Sequence, residues 1–141
     1  MPYLSLIDRF RKFLSNGPSA LVVCGFSFRD DHINENLNQA LEANPNSVCF
    51  ALMHGPLAEY QEAREIAKRL PNLNLLARDR AIISTDEASW MVAQGSDTRA
   101  IEPFCEIRRK EDKSIEGVDF LLGDFDHFGQ LLSLLGPERA R

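Results

Sequence analysis

One stretch gathers most of the groups that could do chemistry. Val22-Val23-Cys24-Gly25-Phe26-Ser27-Phe28-Arg29-Asp30-Asp31-His32-Ile33-Asn34 sets a glycine, a hydroxyl, two carboxylates, an imidazole and an amide in close succession. A glycine directly after an apolar run lets a ligand come close to the backbone. Unpaired N–H groups at the start of a following helix, together with the Ser27 hydroxyl, suit a phosphate or a ribose oxygen. A plainer assignment uses the same residues: Gly25 makes the turn, Phe26 and Phe28 pack, and Asp30 or Asp31 caps the helix. The acids also bear on the ligand. Like charges ~4 Å apart repel by ~1 kcal/mol in bulk water and ~4 kcal/mol at an effective dielectric near ~20, so Asp30 and Asp31 suit ribose hydroxyls or capping better than pyrophosphate.

The remaining candidates are single residues. His54 follows the apolar run Val48 to Met53, where a Rossmann-type sheet would meet the ribose or base of a nucleotide; a surface loop histidine explains it as well. Asp124-Phe125-Asp126-His127 has the composition of an acid-base pair, but carboxylates just before an apolar helix are better read as its caps. Cys24, Cys49 and Cys105 are odd in number and form no Cys-x-x-Cys pair. They read as reduced thiols packed as small hydrophobes, not as metal ligands or a nucleophile. No catalytic residue and no metal ligand is assigned on these patterns.

The elements that must position these residues follow from periodicity. Tyr3, Leu6, Ile7, Phe10, Phe13 and Leu14 recur at three- and four-residue steps with charges between them, predicting a helix stopped by Asn16-Gly17-Pro18. Ala20 to Cys24 is apolar without alternation, the mark of an interior strand buried on both faces. Ile33, Leu37, Ala40 and Leu41 predict a helix to Ala43, and Val48 to Met53 a second strand. Residues 57–70 form another helix closed by Pro71, and Leu73 to Ala77 a third strand. Strand, helix, strand, helix, strand from Ala20 to Ala77 is a βαβαβ unit, so the fold class is α/β with a Rossmann-like parallel sheet flanked by helices. Ala81 to Ser84 is a candidate extension of the sheet. About 85–117 reads as a loop-rich insertion within one domain, 1–141, with Trp90 anchoring that loop or facing a partner. Val118 to Leu122 is a short apolar run, and Phe125 to Leu135 a final helix stopped by Gly136-Pro137.

Composition sets limits. The 141 residues are 44% hydrophobic and 26% charged, a length that buries about two-thirds of its unfolded surface and needs neither disulfide nor metal to fold. Sixteen Lys and Arg against 21 Asp and Glu give a net charge of −5, which argues against affinity for nucleic acid by phosphate neutralisation. Arg108-Arg109-Lys110, interleaved with acids, reads as a solvated loop. No apolar run reaches the ~20 residues that cross a bilayer, and the first ten residues lack a basic start with an apolar core. No membrane partner and a cytoplasmic location are therefore expected.

Gly25-Phe26-Ser27-Phe28-Arg29-Asp30-Asp31-His32-Ile33-Asn34 resembles the Gly-Tyr-Ser-Phe-x-Asp-x-His-Ile-Asn segment of bacterial sirtuin-like domains, with Phe26 in place of the tyrosine. Leu121-Leu122-Gly123-Asp124-Phe125, followed by Phe128 and Leu132, is similar to the Leu-Gly-Asp-Tyr/Phe element near the end of such domains. The resemblance spans residues 10–135 and is strong at these two places. It implies a Rossmann-like NAD-binding fold in which Gly25 and Ser27 match the Gly-Thr-Ser element that contacts NAD. Phe26, Asp30 and His32 of the same segment, with His54 from its place after the second strand, complete the candidate cofactor-binding set, and NAD or ADP-ribose is the implied ligand. Many such domains in bacterial antiphage systems hydrolyse NAD, often as oligomers.

The sequence departs from that pattern in having no Gly-Ala-Gly-x-Ser phosphate loop and no upstream segment with the catalytic Asn and His. The resemblance therefore implies the C-terminal half of a sirtuin-like domain, a module related to defence NAD glycohydrolases that is inactive alone. If activity is present, NAD hydrolysis is its class; protein deacetylation is disfavoured because the four-cysteine zinc ribbon is missing. The alternative is a small interaction or regulatory domain with no nucleotide ligand. Half a parallel sheet also leaves a strand edge to cover. The strand at Ala81 to Ser84, the N-terminal helix, a second copy in a homo-oligomer, or a partner chain supplying the missing half are the candidates.

Overall fold

Alternating side chains on three short parallel strands decide how this chain is layered. The computed structural model describes residues 2–136, without the side chains of residues 2, 3 and 6. Helix α1 (Pro2–Ser15) leads into strand β1 (Ala20–Cys24), helix α2 (Asp31–Ala43), strand β2 (Val48–Leu52), helix α3 (Gln61–Arg69) and strand β3 (Leu73–Leu76). A single 3₁₀ turn, Leu57–Glu59, precedes α3. Strands β4 (Arg80–Ile83) and β5 (Asp86–Ser89) complete a five-stranded sheet in the order β1-β2-β3-β4-β5. Strands β6 (Cys105–Arg109) and β7 (Ile115–Phe120) form a separate hairpin before helix α4 (Phe125–Leu135).

Within β2, Cys49, Ala51 and the following Met53 face one side; in β3 the same side takes Leu73, Leu75 and Ala77. These residues join Leu37 and Leu41 of α2, Ala63 and Ala67 of α3, and Leu14 of α1 in one core. The opposite face carries Ala20, Val22 and Cys24 of β1, alongside Phe50 and Leu52 of β2. Helix α1 packs against α2, with Arg11 donating to Gln39 Oε1 at 2.8 Å. Of the stripe predicted for this helix, the Tyr3 and Leu6 side chains lie outside the described residues, as does the Pro137 stop after α4.

Three expectations change. The sheet is mixed, not all parallel: β1, β2 and β3 run parallel, but β4 pairs antiparallel with β3 and β5 with β4. Strand β1 is an edge strand, not an interior one; its unbroken apolar run reflects a core-packed side, Leu21 and Val23, and a bare side on which Val22 is 47% exposed. The span read as loop-rich holds β5, β6 and the start of β7. Ala81 to Ser84 does extend the sheet, as β4, but beyond β3 and so far from the β1 edge. The β4–β5 turn is Ser84-Thr85, both with positive φ (49° and 75°), the backbone of a two-residue hairpin of the type that favours Asn-Gly. Asn74, buried on β3, steadies it by accepting from the Ser84 N–H at 3.1 Å.

Candidate functional site

In an open α/β sheet, ligands bind beyond the carboxyl ends of the parallel strands. Here that edge is built by the segments after β1, β2 and β3, joined by the chain leaving β7. After β1, Gly25 takes φ 79° and a side chain there would meet nothing within 4 Å. Phe28 also lies in the left-handed region, φ 59°, a costly conformation for a bulky residue. It is held there by burial, by the Phe26 ring at 4.6 Å, and by Asn34 Nδ2, which donates to its carbonyl at 2.6 Å. Asn34 is itself buried, with its Oδ1 unpartnered in the described structure. Packing thus fixes the loop from below and leaves Gly25 and Ser27 exposed.

Asp30 is the N-cap of α2. Its Oδ1 accepts from the N–H groups of His32 and Ile33 at 3.0 and 3.1 Å, so a carboxylate already occupies the amides that would have received a phosphate. The His32 side chain is exposed on the first turn of α2. Phe26 serves packing. Of the six candidates, Gly25, Ser27 and the exposed His54 present free surface at the strand ends.

The second segment singled out in sequence lies beside the first, about a hundred residues along the chain. Cys24 Sγ is 3.8 Å from the carbonyl oxygens of both Leu122 and Gly123. Gly123 is buried against the backbone after β2; a Cβ there would come within 2.1 Å of the Met53 carbonyl oxygen. The next residue, Asp124, caps α4 by accepting from the Asp126 N–H at 2.8 Å, as the sequence suggested. That bond, with the nearby His127, holds the Asp124 carboxyl below its usual range. His127 Nδ1 stands 3.7 Å from Asp124 Oδ1. Burial first, then the Asp124 charge, raises the Cys24 thiol, which makes it a poor nucleophile.

Two small cavities open on this edge. One, about 210 Å³, is lined by His54, Arg78, Phe120, Leu121, Asp124 and His127. The other, about 190 Å³, includes Ser27, Arg29, Glu59 and Tyr60. Ser27 and His54 therefore line separate hollows. A larger cavity, about 540 Å³, lies between the β5 segment and the β6–β7 hairpin and holds none of the six cofactor-binding candidates. Trp90 borders it but is anchored, donating through Nε1 to the Ala77 carbonyl at 2.7 Å and stacked on Phe120 at 5.1 Å. Arg78 and Tyr60 were missed as site-forming residues; an arginine just past a strand end was the one available signal. Among the described residues no group of three or more His, Cys, Asp or Glu could hold a metal ion, and no helix is long and apolar enough to cross a membrane. Comparison with protein-family models and with curated protein sequences gave no match.

Proposed function

We propose that the chain is a sirtuin-like NAD-binding module, the C-terminal half of a Rossmann-like domain, that binds NAD or ADP-ribose without hydrolysing it. One observation carries this reading. Of the two segments that resemble sirtuin-like domains, the second, Leu121–Phe125, lies at the carboxyl edge of the parallel strands against Cys24, the residue immediately before the first, Gly25–Asn34, and against the backbone after β2. The open left-handed Gly25 permits close approach of a ligand, the Ser27 hydroxyl and the ionised Asp124 suit ribose hydroxyls, and the hollow beside His54 and Arg78 is of a size for part of a nucleotide. The pyrophosphate fits less well, because Asp30 fills the α2 amides and Glu59 and Glu62 border the Ser27 hollow. Its oxygens would need groups from another polypeptide, the partner chain or second copy that such a half-domain calls for. No histidine here stands over a bound ribose as a base in this reading; NAD would bring the reactive glycosidic bond, and these residues would hold and orient it.

A calorimetric titration of the chain with NAD, with nicotinamide release followed in the same sample, tests the proposal. Binding without release is expected, and Ser27→Trp should abolish it while leaving the fold intact, since Ser27 is exposed. Release of nicotinamide would instead make the chain an NAD hydrolase. Absence of binding would favour the second reading, a small interaction domain with no nucleotide. That reading has its own support in α4, which buries no side chain and leaves Phe125, Leu134 and Leu135 at 71, 70 and 74% exposure.

A further inference from the structure

We propose that a second copy of this chain adds to the outer edge of β1, antiparallel, about a dyad through Val22, so that two sheets become one. The phase of the β1–β2 ladder fixes which groups are available. The Val48 N–H donates to the Ser19 carbonyl at 2.9 Å, and Ala20, Val22 and Cys24 register with Val48, Phe50 and Leu52. In a parallel pair this turns the N–H and C=O of Ala20, Val22 and Cys24 away from β2. Among the described residues no strand pairs with that side. Three features that discourage edge pairing are missing from the strand itself: Ala20-Leu21-Val22-Val23-Cys24 contains no proline, no charge and no bulge.

Two features select a second copy as the occupant. The outward groups are symmetric about Val22, so an antiparallel dyad sets Val22 opposite Val22 and Ala20 opposite Cys24, each outward N–H meeting an outward carbonyl. Charge points the same way. Each chain carries −5, so two copies repel over most of their surfaces. From Phe13 to Phe28, however, the chain has no charged residue, and two β1 edges meet with no like charges opposed. The facing β-branched Val22 side chains, now 47% exposed, would cover one another. This interface is the side of β1, not the carboxyl edge of the strands, and it is tested without nucleotide, so its failure is distinguishable from a failure to bind NAD.

Sedimentation velocity of the whole chain over a micromolar concentration series should show a reversible dimer. Val22→Lys puts like charges face to face at the dyad and should weaken dimerisation by more than about tenfold. Ile83→Lys, at a side chain of similar exposure (50%) on β4, should not. Should Val22→Lys unfold the chain, a second variant decides. Val22→Cys, in a chain carrying Cys24→Ser and Cys105→Ser, should cross-link to dimers with a short bismaleimide, and Ile83→Cys in the same background should not. A chain that is monomeric across the series, a dimer indifferent to Val22→Lys, or equal cross-linking of the two cysteine variants would each overturn the proposal.

Discussion

Between Ala20 and Ala77 the chain buries apolar side chains of three parallel strands under helices, whereas between Arg80 and Phe120 it ties antiparallel hairpins together with charge and aromatic stacking. In the parallel half, Cys49, Leu73, Leu75 and Ala77 are fully or almost fully buried. In the antiparallel half, Arg64 of α3 pairs with Glu87 of β5, with Nη2 to Oε2 at 2.8 Å and Nε to Oε1 at 2.6 Å. Arg78 and Arg108 flank Asp119 at 3.7 and 3.4 Å, and Trp90 stacks on Phe120. Ion pairs left partly exposed like these contribute little each and are screened by salt, so the parallel half should carry the stability while the other half supplies the edge opposite β1. The candidate site sits where the halves meet: its floor belongs to the parallel strands, and Leu121–Asp124 arrives from the hairpins.

The thiols give the widest test of that division. Burial pushes the Cys49 thiol from an ordinary 9.0 to about 12, and raises Cys105 in the hairpins as well. For a group whose folded pKa is raised, the contribution is fully present below the unfolded value and is lost as pH rises through the folded one. A rise from 9.0 to about 12, at about 1.36 kcal/mol per pH unit, sets a loss of about 4 kcal/mol across that range. Urea denaturation across that range should show Cys49→Ala flattening the alkaline fall relative to the parent chain, and Cys105→Ala changing it far less. Equal effects would erase the distinction between the halves.

Two glycine substitutions separate the junction from the surface. Gly123→Ala drives a methyl into the Met53 backbone and should cost about 3 kcal/mol, since backbone cannot give way as a side chain can. The same change at Gly129 in α4 meets nothing within 4 Å and should stabilise by about 1 kcal/mol through helix propensity alone. Thermal melts of the two variants should move in opposite directions. If Gly123→Ala were neutral, Leu121–Asp124 would not be locked to the strand ends.

The β4–β5 turn offers a smaller gain. Thr85 is β-branched and sits at φ 75°, a conformation costing about 1–2 kcal/mol for residues other than glycine. Thr85→Gly should recover about 1 kcal/mol in a denaturant titration, and no gain would mean that Asn74 and its bond to Ser84 already offset the strain.

That turn also shows where sequence stops being informative. The parallel half was legible because its strands are uncharged runs and its helices repeat apolar residues at helical spacing, with Asp30 and Pro71 near helix ends. Strand β5, Asp86-Glu87-Ala88-Ser89, has neither apolar alternation nor a glycine turn before it; it is a strand because it pairs with β4, with Glu87 meeting Arg64 of α3, and the second of these is a contact made in three dimensions. The edge position of β1 was hidden for a related reason. Five apolar residues look alike whether both faces are covered or one is bare. At the site, Gly25, Ser27 and the Leu121–Asp124 element were legible as types and spacing, but the contact of Gly123 with Met53 is a long-range packing fact that no local pattern encodes.

The finest distinction at the site concerns Asp30, which the resemblance assigns to the ligand and the geometry assigns to the helix. As an N-cap accepting from two amides, it should cost about 1 kcal/mol on conversion to alanine, and Asp30→Asn should retain most of that. Neither change should weaken NAD binding, because the carboxylate is turned onto α2; loss of a negative charge beside the strand ends should if anything favour an anionic ligand. Asp31, exposed and next in sequence, is the control, and its alanine variant should leave both stability and binding near the parent values. Parallel melts and NAD titrations of the three variants read the two roles separately. A tenfold loss of affinity in Asp30→Asn with stability preserved would show that the carboxylate reaches the ribose, and that the cap on α2 opens when the ligand arrives.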